Sequence, residues 1–343
     1  MRHSPLLVGL LLVGLLLLTG CRFPPPRIEV PQEPSAELIE HGRYLSENVG
    51  ICTTCHSQRD WRYYGGPPAE GTAGAGGTSF TELFLFPDEV VINGTNLTPA
   101  GPIGDWTDAE LARAITGGLR PDGSMIFLMM PINQYRYIAK PDLVAMIAYL
   151  RSLHPVENDV PPTELKYQLL KDVGWMFVAP PAMQRKQPGA PGSARRGKYI
   201  ANLASCRWCH TATDILGFPV PGTDWAGGMG FPVPEPGGGW VFSPNITPDE
   251  ETGIGRWSRE QFIARFRASK PEIIQSAPLP PGGFNSPMAW SAYSGMTDED
   301  LGAIYAFLMK KPKKRSSVPR WVPEAPPRKK NGTYDFDAAE ESP

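Results

Sequence analysis

The chain carries the stretch Cys52-Thr53-Thr54-Cys55-His56 and repeats its pattern at Cys206-Arg207-Trp208-Cys209-His210, which together use four of its five cysteines. The spacing Cys-x-x-Cys-His is the attachment pattern of c-type haem. Each thiol can add across a vinyl group of the porphyrin to form a thioether, and the adjacent histidine turns its imidazole to the iron. The two copies predict two covalently bound haem c groups, one on Cys52, Cys55 and His56 and the other on Cys206, Cys209 and His210.

Two other chemistries use paired cysteines, a four-cysteine zinc site and the redox site of thioredoxin-like proteins. A zinc site would not explain a histidine directly after each pair. A thioredoxin-like site opens a helix after a strand in a βαβ unit, and the sequence has no such alternation of strands and helices. Both alternatives are therefore weaker than haem attachment.

The sequence around the two motifs is an internal repeat with a period of about 150 residues, as expected for a duplicated structural unit. Gly42-Arg43-Tyr44-Leu45 matches Gly197-Lys198-Tyr199-Ile200, 155 residues later. Asn96-Leu97-Thr98-Pro99 matches Asn245-Ile246-Thr247-Pro248, 149 residues later. The small changes in offset indicate insertions in loops.

Helix signals occur in the same order in both copies. Thr107 with Glu110 and Ser258 with Gln261 are capping boxes, each directly after a tryptophan. The last helix of each copy has an apolar stripe with helical spacing. The stripes consist of Leu143, Met146, Ile147 and Leu150, and of Leu301, Ile304, Tyr305 and Leu308 behind an N-capping Thr297. These patterns predict an all-α fold, with two tandem haem-binding domains and long Gly/Pro-rich loops, since the chain has 36 glycines and 39 prolines.

The chain of 343 residues divides into six predicted segments. These are a signal peptide (1–20), a Pro-rich tether (21–34), a first haem domain (35–155), a linker (156–192), a second haem domain (193–311) and a disordered tail (312–343). Residues 35–155 and 193–311 are called the first half and the second half below. The formal charge of −2 gives no indication of nucleic-acid binding.

The amino terminus resembles the signal of a bacterial lipoprotein. A short charged region with Arg2 is followed by the apolar residues 6–18 and by Leu17-Leu18-Thr19-Gly20-Cys21. The apolar run is shorter than the ~20 residues of a membrane-spanning helix. We therefore expect cleavage before Cys21 and lipidation of its thiol. The protein would be exported and anchored to a membrane facing the periplasm, with the inner and outer membranes both open as locations.

Each iron needs a sixth ligand, and the sequence indicates methionine sulfur. The only histidines outside the motifs are His3, His41 and His154, so the second half has no further histidine of its own. Met130 precedes Pro131, Met288 follows Pro287, and the two methionines occupy matching places in the repeat. We predict Met130 and Met288 as iron ligands beside His56 and His210. The competing candidates are Met125 and Met129 in the first half and Met229 and Met296 in the second.

With these residues in place, both halves resemble the class I cytochrome c domain. The succession of Cys-x-x-Cys-His, Asn-Ile-Thr-Pro-Asp-x-x-Thr-Gly-Ile-Gly-x-Trp-Ser, Pro-Met and Asp-Leu-x-Ala-Ile-x-x-Phe-Leu is similar to the multihaem cytochrome subunits of membrane-bound alcohol and gluconate dehydrogenases. The resemblance covers residues 35–312 and is most specific at 245–258. Those subunits carry three haem domains, whereas this chain has two motifs.

The resemblance implies a protein that relays single electrons between a dehydrogenase or respiratory donor and an acceptor, and that has no catalytic residues. One alternative is a dihaem enzyme, of the peroxidase or thiosulfate-oxidising type, with one labile iron site. Another is a haem-bearing scaffold or sensor subunit. The basic residues 310–315 suggest a docking patch for an acidic redox partner, although such a run is more often a solvated helix end.

Overall fold

The computed structural model describes residues 25–80, 90–126, 129–165, 181–214, 217–234 and 236–340. The candidate signal peptide and Cys21 lie outside these ranges. The helices of the first half are α1 Ala36–Arg43, α2 Cys52–Cys55, α3 Asp108–Gly117, α4 Ile132–Tyr135 and α5 Lys140–Ser152. Those that follow are α6 Ala194–Leu203, α7 Cys206–Cys209, α8 Arg259–Arg267, α9 Pro271–Ile274, α10 Trp290–Tyr293, α11 Asp298–Leu308 and α12 Asp337–Glu340. None of the described helices is long and apolar enough to cross a lipid bilayer.

The prediction of an all-α fold is wrong, because the described residues also form two small antiparallel sheets and the structure is only 33% helical. Strand β1 (Val90–Val91) pairs with β2 (Glu164–Leu165). In the second sheet, β4 (Trp240–Phe242) lies between β3 (Gly230–Pro232) and β5 (Trp321–Val322). The glycine- and proline-rich segments cannot continue helices, and some of their backbone groups pair as short strands instead.

The predicted helix starts are confirmed. Thr107 and Ser258 both accept a hydrogen bond from a backbone N–H three residues later. In turn, the side chains of Glu110 and Gln261 accept a hydrogen bond from the backbone N–H of the cap residue. Thr297 caps α11 in the same way through the N–H of Asp300. Each cap satisfies amide groups that the first helical turn leaves without partners.

In each half the first and last long helices cross at a glycine. A Cβ added to Gly42 in α1 would lie 1.9 Å from the Ala145 carbonyl oxygen in α5. A Cβ added to Gly197 in α6 would lie 1.8 Å from the Ala303 carbonyl oxygen in α11. The backbones of the two helices therefore touch, which only glycine permits.

The apolar stripes predicted for the last helices face this crossing. In α5 the whole stripe is buried, and in α11 only Tyr305 keeps partial exposure, with its hydroxyl donating to the Trp257 carbonyl at 2.7 Å. Buried residues of the two halves form one continuous hydrophobic cluster. The halves are thus packed together through their interiors.

A reciprocal pair of hydrogen bonds joins the halves. The Tyr44 hydroxyl donates to Asp300 of the second half at 2.8 Å, and the Tyr199 hydroxyl donates to Asp142 of the first half. Both carboxylates are buried, and each has a basic partner in its own half. His41 donates to Asp142 at 2.7 Å, and Arg196 to Asp300 at 2.9 Å. A buried carboxylate needs such partners to offset its lost hydration.

The Asn-x-Thr-Pro elements fasten the chain that leaves each last helix. Asn96 Nδ2 donates to the Val156 carbonyl at 2.8 Å, and its Oδ1 accepts from Thr98. Asn245 makes the same bonds to the Lys314 carbonyl, at 2.7 Å, and to Thr247. The repeat therefore extends to individual hydrogen bonds.

The segments outside the halves lie against them. In the linker, Glu164 pairs with Val91, and the Gln184 carbonyl accepts from the Lys140 N–H at 2.7 Å. Leu165 lies in β2, and the linker residues 166–180 lie outside the described residues. Residues 312–343 were expected to be disordered, yet they supply β5 and α12. In the basic stretch, Lys313 and Arg315 pair with Glu250 and Glu251, both at 2.7 Å, so the two cations are matched by anions.

Replacement of Gly197 by alanine will lower the free energy of unfolding by about 1–3 kcal/mol, because the new methyl group cannot fit against the Ala303 carbonyl. Denaturant titration of the haem-loaded protein measures this effect. Lys198→Ala, on the exposed side of the same helix, is the control and should change the value by less than about 0.5 kcal/mol. Equal effects of the two substitutions would contradict the close crossing.

Candidate haem-binding sites

Both Cys-x-x-Cys-His motifs begin with a sharp change of chain direction. Ile51 and Ser205, directly before the motifs, have left-handed backbone angles (φ 49° and 56°) that are unusual for residues other than glycine. Each is followed by one helical turn, Cys52–Cys55 or Cys206–Cys209. The strained residue separates this turn from the preceding helix and sets the direction of the histidine that follows it.

The two motif histidines are held in the same way. Nδ1 of His56 lies 2.8 Å from the Thr95 carbonyl oxygen, and Nδ1 of His210 lies 2.8 Å from the Pro244 carbonyl oxygen. Because a carbonyl can only accept, Nδ1 carries the proton and Nε2 keeps its lone pair. Burial also lowers the pKa of both imidazoles, which favours their neutral form. A neutral imidazole with Nδ1 bound to a carbonyl is the form that ligates a metal through Nε2.

The four motif cysteines are free thiols. Loss of hydration raises the pKa of Cys52, Cys206 and Cys209 to about 12, and it also raises that of Cys55. Buried thiols with raised pKa values do not suit thiol–disulfide exchange, which uses an exposed thiolate. Across the described residues, no three His, Cys, Asp or Glu side chains gather as a metal cluster, so the geometry gives a four-cysteine zinc site no support. The donor set fits covalent haem.

Two tyrosines that sequence reasoning missed brace the motifs. The Tyr135 hydroxyl donates to the Gly50 carbonyl and the Tyr293 hydroxyl to the Ala204 carbonyl, both at 2.8 Å. Each carbonyl lies one residue before the strained position. Tyr135 and Tyr293 are separated by 158 residues, the same offset as Met130 and Met288, so the repeat could have revealed them.

The predicted methionine ligands lie in equivalent short loops. Met130 and Met288 are partly buried and pack against the core, and the carbonyl of each accepts from the N–H two residues later, at 2.8 and 2.7 Å. Met296 is only 2% exposed and packs within the core. Met229 adjoins β3, where its carbonyl accepts from the Ser243 N–H. Met125 and Met129 are partly buried, so they stay as alternatives.

The two histidines outside the motifs lie apart from the candidate sites. His41 contacts Asp142 at the interface of the halves, and His154 is exposed at the end of α5.

The two sites lie close enough to influence each other electrostatically. The pKa of Tyr293 is raised mainly by burial, and further by Cys206 and Cys209 of its own site and by Tyr135 and Cys55 of the other. The Cys55 thiol likewise contributes to the raised pKa of Cys209. The facing edges of the two sites are therefore neighbours within the common core.

No family model matches the chain, but comparison with known proteins gives several cytochrome c subunits of dehydrogenases among its relatives. The chain is 29% identical over 323 residues to the cytochrome c subunit of a quinone alcohol dehydrogenase from Gluconacetobacter polyoxogenes, covering 90% of this chain and 61% of the relative. It is 26% identical over 289 residues to the gluconate 2-dehydrogenase cytochrome c subunit of Pantoea cypripedii, covering 79% of this chain and 59% of the relative.

A third relative, a diheme cytochrome c-type protein of Cereibacter sphaeroides, is 27% identical over 271 residues, which is 77% of this chain and 83% of the relative. These relatives confirm the resemblance to cytochrome c subunits of dehydrogenases and to dihaem cytochromes c. The chain spans 61% and 59% of the length of the two dehydrogenase subunits.

Tyr293→Phe will lower the free energy of unfolding by about 1–3 kcal/mol, because it leaves the buried Ala204 carbonyl without its donor. Tyr135→Phe will have a similar effect through Gly50. Chemical denaturation checks both values. Tyr137→Phe removes an equivalent hydroxyl from a ring that is 44% exposed and should stay within about 0.5 kcal/mol of the parent. Stability within about 0.5 kcal/mol of the parent in both Tyr135→Phe and Tyr293→Phe would refute the bracing role.

Proposed function

We propose that this chain is a dihaem c-type cytochrome that relays single electrons. The observation that carries the proposal is the duplicated motif whose two histidines donate from Nδ1 to backbone carbonyls at the same distance of 2.8 Å. Two unrelated structural motifs would not share a left-handed residue, a tyrosine brace and a histidine tautomer. The relatives named as cytochrome c subunits support the same function.

In each half, two cysteines, one histidine and one methionine would hold a haem. Cys52 and Cys55 would fix the first group as thioethers, with His56 and Met130 on the iron. Cys206, Cys209, His210 and Met288 would do the same for the second. Haem iron bound in this way supplies a one-electron couple. Thioether sulfur favours the reduced metal and fills the last position, so the residues leave no place for a substrate.

The common core favours transfer between the two sites within one chain. Buried residues of both halves pack as one cluster, and groups of one site act on those of the other. The reciprocal Tyr44–Asp300 and Tyr199–Asp142 contacts limit movement of the halves. In this arrangement the halves correspond to the two haem domains, residues 35–155 and 193–311.

The electron donor we propose is a dehydrogenase, or a respiratory complex in its place, and this chain would be the electron-transfer component rather than the catalyst. The proposal rests on the names of the relatives, which are cytochrome subunits of quinone alcohol and gluconate dehydrogenases. The proposed closed iron sites agree with this role, because they would allow electron transfer but give a reactant no coordination position.

We further propose that the protein faces the periplasm and is anchored through lipid on Cys21, with residues 21–34 as the tether. The proposed haem c and the export signal support each other, because bacteria attach c-type haem outside the cytoplasmic membrane. A diacylglycerol plus an N-acyl chain gives stable anchoring, whereas one chain gives only weak binding.

Replacement of either Met130 or Met288 by alanine will remove about half of the absorption band that arises from charge transfer between methionine sulfur and ferric iron. It will also lower the reduction potential of one haem, since a soft ligand is lost. Absorption spectra and a redox titration measure these changes, with haem counted per chain; we expect two. Met146→Leu, a substitution at a core methionine that is 1% exposed, is the control and should leave the band unchanged.

An unchanged band in Met288→Ala would remove Met288 from the iron. A parent protein with only one methionine-ligated haem would have a labile site, and it would favour a dihaem enzyme over a relay.

Replacement of residues 1–21 by the cleavable signal peptide of a soluble periplasmic protein will release the protein from the membrane fraction into the soluble periplasmic fraction without changing its haem content, because the mature chain then has no residue to carry the acyl chains. Cell fractionation followed by haem staining checks the location. Mass spectrometry of the parent protein should show a lipidated Cys21 as the first residue. An unmodified Cys21 in the parent would disprove the anchor.

A further inference from the structure

Two short loops from different halves meet at the second candidate site. The bridging loop, residues 59–66, follows the first haem motif, and the methionine loop, residues 285–288, ends at Met288. Asn285 is 1% exposed, and both polar atoms of its amide bond to the bridging loop. Its Nδ2 donates to the Trp61 carbonyl at 3.1 Å, and its Oδ1 accepts from the Gly65 N–H at 2.9 Å. The first half therefore holds the start of the methionine loop.

Arg59 holds the other end of the same loop. Its Nη2 donates to the Pro287 carbonyl at 3.3 Å and to the Gly65 carbonyl, and its Nε donates to the Gly66 carbonyl at 2.7 Å. The guanidinium carbon also lies 4.1 Å from the centre of the Trp61 ring. These contacts fix the fork of the guanidinium, and one of them reaches the residue directly before Met288.

Backbone carbonyl dipoles provide most of the stabilisation of the positive charge of Arg59. All of its hydrogen bonds in the described part of the chain go to carbonyl oxygens. Burial lowers its pKa to about 10, and Cys55 and Tyr293 act in the opposite direction, so it stays charged at neutral pH. Since Cys55 belongs to the first candidate site and Tyr293 braces the second, the cation lies between the two.

The bridging loop also passes directly over the backbone of Met288. Gly65 has a φ of +78°, and a Cβ added there would lie 3.1 Å from the Met288 carbonyl oxygen. A side chain at this position would push the two loops apart. The close approach leaves no gap in which Met288 could shift freely.

The second half has no matching clamp on the first in the described residues. The counterpart of Arg59 in the repeat is Thr213, whose carbonyl accepts from Arg328 of the carboxy-terminal segment at 2.8 Å. Threonine lacks the forked donors that allow Arg59 to join three carbonyls. The two otherwise equivalent halves therefore differ in what supports their methionine loops.

We propose that Arg59 is a positioning residue for the second haem, and that the first half, through the bridging loop, holds Met288 on its iron. This inference rests on the proposed function, because it takes Met288 as the axial ligand. It makes the second axial bond dependent on the first half, whereas among the described residues no side chain of the second half holds the Met130 loop in this way. A fixed cation between the sites also favours the reduced irons, which carry one positive charge fewer.

The test uses the full-length, haem-loaded protein with the substitutions Arg59→Gln and Arg59→Lys. Ferric protein is mixed with cyanide, and the rate at which each haem loses its methionine ligand is followed through the charge-transfer band. Both substitutions should speed the loss at one haem about tenfold, because each removes the forked hydrogen bond. A redox titration should show a lower potential for one haem in Arg59→Gln and a smaller change in Arg59→Lys, which keeps the charge.

Arg62→Gln is the matched control. Arg62 lies in the same loop, but its side chain is 74% exposed and pairs with Asp60, so this substitution should leave both haems at parent rates. Met288→Ala identifies which haem belongs to the second half. If it removes half of the band and Arg59→Gln changes neither rate nor potential, the positioning role is refuted while the proposed function stands. If Met288→Ala itself leaves the band intact, the axial assignment fails instead.

Should Arg59→Gln bind fewer than two haems per chain, Arg59→Lys decides the question. A parent-like cyanide rate in Arg59→Lys would then overturn the proposal, and a faster rate at one haem would support it.

Discussion

The rest of the molecule depends on two backbone crossings, where Gly42 meets Ala145 and Gly197 meets Ala303. At each one the first and last long helices of a half approach until only a hydrogen atom fits between them. The motif turn follows the first helix, and the methionine loop precedes the last. The crossing therefore fixes the positions of the motif turn and the methionine loop, between which a flat, rigid cofactor would lie. The hydrogen bonds of the two tyrosines hold the motif turn in place.

The interface between the halves contains the same arrangement of hydrogen bonds twice. Each buried aspartate at the start of a last helix accepts a tyrosine hydroxyl from the other half and a basic side chain from its own. Buried carboxylates are costly unless every lone pair finds a donor, so the halves satisfy each other's polar groups. The pairs differ in one respect. Asp300 has the permanent cation Arg196, whereas Asp142 has the imidazole of His41 and the side-chain amide of Gln187.

Features that arise within a few residues could be predicted from the sequence. The capping boxes at Thr107 and Ser258 and the buried stripe of α5 depend on local spacing, and the structure has them as expected. The fold class could not be predicted, because β4 pairs with a strand some eighty residues later and short strands leave no periodic pattern. The contact of Arg59 with Pro287 spans 228 residues, and nothing near Arg59 indicates its partner.

The same long separations determine the order in which the protein can be completed. Tyr44 and Asp300 are 256 residues apart, Asn48 and Ala292 are 244 apart, and Gly65 and Asn285 are 220 apart. Whether the chain emerges from the ribosome or, as proposed, across a membrane, the first half appears before any of these partners. Its interface must therefore tolerate water until the last helix arrives, and polar contacts through tyrosine and asparagine suit that requirement better than a wholly apolar surface. In this order the halves dock last. Their docking closes a long loop of chain, and the entropy cost of closing a loop grows only slowly with its length.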